Sequence, residues 1–185
     1  MKALLSIDQA QCSGYAVGLL HDAPAYRSFE LIGSGVVKKC VERSTVLNQA
    51  IALAGLDVDE LVVILEDHSD FYFGRGNASV ASLLGMGAAR GRWEEQLDIQ
   101  GHPLKHRYKA TPGEWRKAVL GLPRNATAER AKAESVRYAM AFDQTREFSP
   151  DAAEALCMAV YCAGTLLTRA ASTKAPSKRK ARAAT

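Results

Sequence analysis

A chain of 185 residues, 48% of them hydrophobic, has the length of one domain and enough apolar surface to bury a full core. Its longest apolar runs, such as Ala3 to Ile7 and Leu61 to Leu65, are too short to cross a bilayer, and the N-terminus lacks a signal-peptide hydrophobic region, so the expectation is a soluble cytoplasmic protein with no membrane partner. The net charge of +4 is segregated: residues 105–137 hold nine Lys or Arg against three acids, and Ser172–Thr185 hold five Lys or Arg and no acid, a distribution that fits a polyanion held by one surface while carboxylates gather on another.

Lys2 to Asp8 reads as a strand ending on an acid, and Gly14 to Leu20 as its hairpin partner after the Ser13-Gly14 turn. Tyr26 to Val37 continues as a third strand. Arg43 to Ala54 has helical periodicity with Gly55 as its C-terminal stop, and Leu61 to Glu66 is a buried strand rich in Val, Leu and Ile. A Gly-rich turn at Phe73 to Gly76 leads into a helix over about Asn77 to Leu97, followed by a short fifth strand, Leu104 to Tyr108. Thr111-Pro112-Gly113-Glu114 is a capping box that opens a short helix over Trp115 to Leu120. Another helix is expected over about Thr127 to Ala141, and Ser149-Pro150 caps a last one running to about Arg169. Strands joined first by hairpins and later through helices imply a five-stranded mixed sheet, its first three strands antiparallel, with helices on both faces. The domain is expected over residues 1–171. Residues 172–185, only Ala, Ser, Thr, Pro, Lys and Arg, read as a disordered basic tail suited to sequence-independent phosphate contacts. Cys12, Cys40, Cys157 and Cys162 have no CxxC spacing and are expected to be reduced thiols in a packed interior.

Four acids fall where this architecture brings side chains to one edge of the sheet. Asp8 ends the first strand, Glu66 ends the fourth, and Asp151 and Glu154 lie at i and i+3 on the first turn of the last helix, hence on one face. Like charges about 4 Å apart repel by roughly 4 kcal/mol per pair at an effective dielectric near 20, so such a cluster calls for cations. Hard carboxylate oxygens suit Mg²⁺ or Mn²⁺, and a pair of such ions is the arrangement that stabilises phosphodiester hydrolysis.

In order and spacing, Leu5-Ser6-Ile7-Asp8 leading into Gly14-Tyr15-Ala16-Val17, then Gly33-Ser34-Gly35, Ile64-Leu65-Glu66, Gly85 to Gly91 with Ala88-Ala89-Arg90, Ala118-Val119-Leu120-Gly121 and Asp151-Ala152-Ala153-Glu154-Ala155-Leu156 resemble the RuvC-type Holliday junction resolvases. The resemblance spans about residues 1–170. It implies a ribonuclease H-like fold and a homodimeric endonuclease of DNA recombination and repair, which nicks four-way junctions with two Mg²⁺ per active site, Mn²⁺ substituting. It makes Asp8, Glu66, Asp151 and Glu154 the metal ligands and catalytic acids. Two departures stand out: Asp8-Gln9-Ala10 replaces the family's usual Asp-Pro-Gly turn, and Glu154 replaces its usual Asp. They fit a divergent, viral or bacterial member, working in the cytoplasm of a bacterial or virus-infected cell.

Phe71, Tyr72 and Phe73, leading to Arg75 in the Gly74-Arg75-Gly76 turn, offer an aromatic to stack on a base exposed at an opened junction, a contact worth about 1–3 kcal/mol; core packing is the other reading of the trio. The resemblance puts Arg116, Lys117 and Lys132 near the scissile phosphate; a solvated helix face is their alternative. His68, two residues beyond Glu66, reads as a polar loop residue, and His102 and His106 carry no assigned role. Two other functions remain open: a junction-binding protein without catalysis, and, from the Asp8 strand and its Gly14-to-Gly18 hairpin, a piece of an actin-like or sugar-kinase-type ATPase.

Overall fold

The computed structural model describes residues 2–9, 12–22, 27–38, 40–67, 79–123 and 125–166. Strands β1 (Lys2–Asp8), β2 (Ser13–Asp22) and β3 (Arg27–Val37) form an antiparallel meander. β4 (Leu61–Glu66) and β5 (Arg107–Ala110) add in parallel beyond β1, giving the order β3-β2-β1-β4-β5. The parallel strands need crossovers, supplied by α1 (Cys40–Leu53) between β3 and β4 and α2 (Val80–Ile99) between β4 and β5. Three helices follow β5: α3 (Pro112–Leu120), α4 (Ala128–Phe142) and α5 (Pro150–Tyr161).

Alternation along the central strands divides the core in two. Ala3, Leu5 and Ile7 of β1 pack with Leu47, Ala50 and Ile51 of α1 and with Trp93 and Leu97 of α2. On the opposite face, Leu4 joins Val62 and Ile64 of β4, Trp115 of α3, Ala139 of α4 and the small-residue face of α5. Helices therefore cover both faces, and β1 and β4 are apolar almost throughout because neither face meets water. Asp8 has the parity of Leu4, and Glu66 that of Val62 and Ile64, so both acids emerge on the α5 side. Ile7 lies opposite Leu65 in the parallel register, which sets the two acids side by side at adjacent carboxyl ends of strands, where open α/β sheets place their ligands.

Several boundaries differ from the sequence expectation; α1 begins at Cys40 and α3 at Pro112, each three residues before its expected start. The fifth strand begins at Arg107, since Leu104–His106 is a 3-10 turn closed by the His106 N–H on the Pro103 carbonyl at 3.1 Å. α2 begins at Val80, where the Ser79 hydroxyl accepts from the Ser82 N–H at 3.2 Å. The last regular helix ends at Tyr161 and widens into a π-type turn over Cys162–Leu166. Residues 167–185, and with them the expected tail, lie outside the described residues. Cys12, Cys157 and Cys162 are free thiols, and burial pushes those of Cys157 and Cys162 up to about 12. Among the described residues no helix is long and apolar enough to cross a membrane.

Gly14 sets how near α5 can come. It pairs with Asp8 across the hairpin, and a Cβ there would stand 2.0 Å from the Asp151 carbonyl oxygen and 2.9 Å from the Ala152 nitrogen. Both obstacles are backbone, so neither can swing aside. Gly14→Ala should therefore cost about 2–3 kcal/mol or more, lowering the thermal midpoint by roughly 4–12 °C. Gly33→Ala, where the added Cβ meets only the Val17 side chain at 3.4 Å, should shift stability by no more than about 1 kcal/mol. A melt of Gly14→Ala matching that of Gly33→Ala would contradict the close approach.

Candidate metal centre

The first turn of α5 is built to present acids to the strand ends. Ser149 caps it, its hydroxyl accepting from the Ala152 N–H at 3.3 Å, and Pro150 occupies the first turn. Asp151 and Glu154 then share the face turned to the sheet, and the helix N-terminus favours a negative charge at Asp151. Carboxylate oxygens of Asp8, Asp151 and Glu154 lie within 4.8 Å of one another. Glu66 joins this set through a hydrogen bond with the Asp8 carboxyl. Asp8, Glu66 and Glu154 are buried, at 7%, 5% and 4% exposure, while Asp151 is half-buried.

Three of the four acids are held by donors from α3 and α4. The Arg116 guanidinium donates through Nη2 to Glu154 Oε1 at 2.8 Å, and Lys132 Nζ of α4 donates to Asp151 Oδ1 at 2.9 Å. The Trp115 indole Nε1–H donates to Glu66 Oε1 at 3.0 Å, both groups buried. Arg116 also lies 5.1 Å from the centroid of the Trp115 ring, so two consecutive residues of α3 each hold a carboxylate.

The electrostatics follow from burial and crowding. Burial holds the Asp8 carboxyl well above the usual carboxylate range, and the charges of Glu66 and Glu154, the hydrogen bond with Glu66 and the charge of Asp151 push the same way. Burial also raises Glu154, against the pull of Arg116. The hydrogen bond to Asp151 lifts Lys132. Two cations thus face four acids, and all four offer hard oxygen donors in a water-poor setting. Such a donor set fits Mg²⁺ or Mn²⁺ and excludes the soft-ligand metals.

Of the residues expected to hold DNA, Arg116 and Lys132 are brought to the acids. Lys117, the neighbour of Arg116, is exposed and instead lines an open hollow with Thr111, Glu114 and Pro123. Phe71, Tyr72, Phe73 and Arg75 lie outside the described residues, as does His68. Sequence reasoning missed Trp115. Its signal was there: it is the first large apolar residue after the capping box, where Glu114 accepts from the Thr111 N–H at 2.8 Å, on a helix that leaves the strand beside β4. It also missed the part played by His102, which is buried, with Nε2 on the Leu61 carbonyl oxygen at 2.7 Å, and which burial drives toward the neutral form. The Arg107 guanidinium, paired with Asp98 at 2.7 Å, reaches the same loop, so His102 fastens the β5 edge.

No family model matches the chain, and no curated protein matches it significantly. Among solved structures, Thermus thermophilus RuvC is similar with a TM-score of 0.59 at 18% identity, over 91% of this chain and 96% of that one. T. thermophilus RuvC in complex with a Holliday junction substrate is similar with a TM-score of 0.62 at 17% identity, over 91% and 97% of the two chains. The likeness is one of fold, and the fold is the expected mixed α/β, ribonuclease H-like one.

Because the Asp8 carboxyl is raised in the folded protein, the folded state binds more proton than the unfolded chain between the ordinary carboxylate value and the raised one. Stability therefore falls as pH rises through that window, and the deficit persists above it. In chelator at neutral pH, Asp8→Asn should melt several degrees above wild type, and the gap should close as pH falls below the ordinary value of 3.8. Adding Mn²⁺ should raise the wild-type midpoint and leave that of Asp8→Asn nearly unmoved. Wild type melting above Asp8→Asn in chelator would show that the acids are not in conflict.

Proposed function

We propose that this chain is a structure-selective, metal-dependent endonuclease that cuts four-way junctions and related branched DNA. The observation that carries the reading is the convergence of Asp8, Asp151 and Glu154, with Glu66 joined through Asp8, at the carboxyl ends of β1 and β4. The fold likeness to T. thermophilus RuvC, one structure of which holds a Holliday junction substrate, supports branched DNA as the substrate class.

In this reading Asp8, Glu66, Asp151 and Glu154 are the catalytic carboxylates and hold two Mg²⁺, with Mn²⁺ able to replace it. Bound there, such ions would neutralise the acids and supply an activated water for phosphodiester hydrolysis. The protein's own part is placement. Rigid strand ends and a capped helix turn hold the carboxylates, and burial keeps bulk water from competing for the scissile phosphate. Arg116 and Lys132 stand at the rim of the cluster, where a cation released from its carboxylate can take a phosphate oxygen. Lys117 extends the basic surface outward, and Phe71, Tyr72, Phe73 and Arg75, which follow Glu66 in sequence, are proposed to contact DNA, one aromatic stacking on an exposed base. Glu154 is longer than Asp by one methylene, and its partner Arg116 fixes where that extra reach ends.

A homodimer is part of the proposal, since paired nicks on opposite strands call for two centres. α2 supports it. The buried residues of α2 are Ala89, Trp93 and Leu97, none in its first two turns, whereas Val80 and Leu84, one turn apart, are 73% and 70% exposed. Around them run Ala81, Gly85, Gly87 and Ala88, small residues that let a second helix approach.

Asp8→Asn, Glu66→Gln, Asp151→Asn and Glu154→Gln should each slow nicking of a labelled four-way junction in Mg²⁺ by about a hundredfold or more, roughly 2.7 kcal/mol in the barrier. Junction binding in a gel shift should hold or tighten as repulsion of phosphate falls, and Glu154→Asp should keep activity. Undiminished cutting in chelator would remove the metal from the mechanism. Sedimentation should show a dimer that Leu84→Glu converts to monomer; a wild-type monomer, both free and on junction DNA, would defeat the dimer.

A further inference from the structure

Trp115 is wholly buried, and a buried indole N–H has to find an acceptor. Here the acceptor is a carboxylate of the acid cluster, Glu66 Oε1 at 3.0 Å. We propose that Trp115 is a positioning residue for Glu66, fixing the rotation of its carboxylate toward the cluster, and that the bond is kept when a divalent ion enters. The inference rests on the metal-centre reading given above.

Glu is a poor ligand to leave unguided, because its last torsion is soft and roughly two-fold. A donor on a flexible side chain would transmit that freedom. The indole is rigid, sits without exposure in the core formed by β1, β4 and α5, and so gives the oxygen a defined place. Its neutrality separates it from the two cations. Arg116 on Glu154 and Lys132 on Asp151 carry charge that a divalent ion would displace, whereas an indole N–H leaves the negative charge of Glu66 available and so need not depart. Partners of this kind, which touch a ligand and not the metal, commonly set metal affinity by 10–100-fold.

Trp115→Phe retains an aromatic ring in the core and deletes the N–H. The full-length protein, its fold checked by circular dichroism and melting, is titrated with Mn²⁺ by calorimetry beside wild type and Asp8→Asn. The expected result is saturable binding by wild type, no binding by Asp8→Asn, and a Kd raised about tenfold in Trp115→Phe. A folded Trp115→Phe that binds Mn²⁺ as tightly as wild type overturns the inference and leaves the metal centre standing; wild type that binds none overturns the metal centre and the inference with it. Should Trp115→Phe fail to fold, the ¹⁵N-indole spectrum of the wild-type protein decides, its two tryptophans assigned with Trp93→Phe. The Trp115 indole N–H should be downfield and slow to exchange, move upfield in Glu66→Gln, and remain downfield in saturating Mg²⁺. A move to a solvent-like position on Mg²⁺ saturation would show the bond released and overturn the proposal.

Discussion

Four carboxylates crowd one edge of the sheet, and their mutual repulsion is the constraint that the surrounding structure answers. Each pair at about 4 Å costs roughly 4 kcal/mol at an effective dielectric near 20, a large fraction of the 5–15 kcal/mol by which a domain of ordinary size is stable. Three devices meet that cost. Guanidinium and ammonium groups from α3 and α4 sit on Glu154 and Asp151. The start of α5 turns its positive end toward Asp151. The buried Asp8 carboxyl retains its proton to a higher pH than usual. The tension left over is what a bound cation, as proposed, would relieve.

Placement depends on parts that are not acidic. Gly14 admits the α5 backbone against β2, the Asp8 and Glu66 strands are clamped by apolar layers on both faces, and Trp93 ties α2 to the β2 end through the Ser13 hydroxyl at 3.0 Å. The two tryptophans thus lie in opposite core layers, Trp93 beneath the hairpin and Trp115 above the strand ends. A short ion network, Arg90 with Asp67 and Glu94, and Lys109 with Glu94, joins the exit of β4 to α2 and β5. These bonds are partly exposed and individually weak, but they keep the strand edge that carries Glu66 in register.

Much of this was legible in the sequence because it is local. Asp8 and Glu66 announce themselves as acids closing apolar runs, and Ser149-Pro150 marks the turn that carries Asp151 and Glu154. The layered sheet follows from runs too apolar for a strand with a wet face. What escaped is contact between distant elements. The bond from Trp115 to Glu66 spans 49 positions, and nothing in the spacing of α3 says which strand its indole will meet. The resemblance puts Arg116 and Lys132 near a phosphate, yet nothing local in the sequence says that each settles on a carboxylate. His102, flanking a proline, carried no periodic signal, although burial makes it a clasp for the β5 edge. The expected fifth strand starts three residues before the observed one, because the apolar Leu104 after Pro103 resembles a strand start and the turn closed by the His106 N–H has no mark in the sequence.

The seat of Asp151 on Gly14 has a consequence for how the protein comes into being. Asp8 is synthesised more than a hundred residues before Asp151, and the two meet only when α5 docks on a hairpin made long before. Such a contact closes a loop of almost the whole described chain, a topology that folds slowly because the entropy of closure comes before the reward. Until that docking the early strands carry two acids without their partners. A chain in which α5 is yet to be made or docked therefore has no complete acid cluster, and the four carboxylates come together in one step, with that helix.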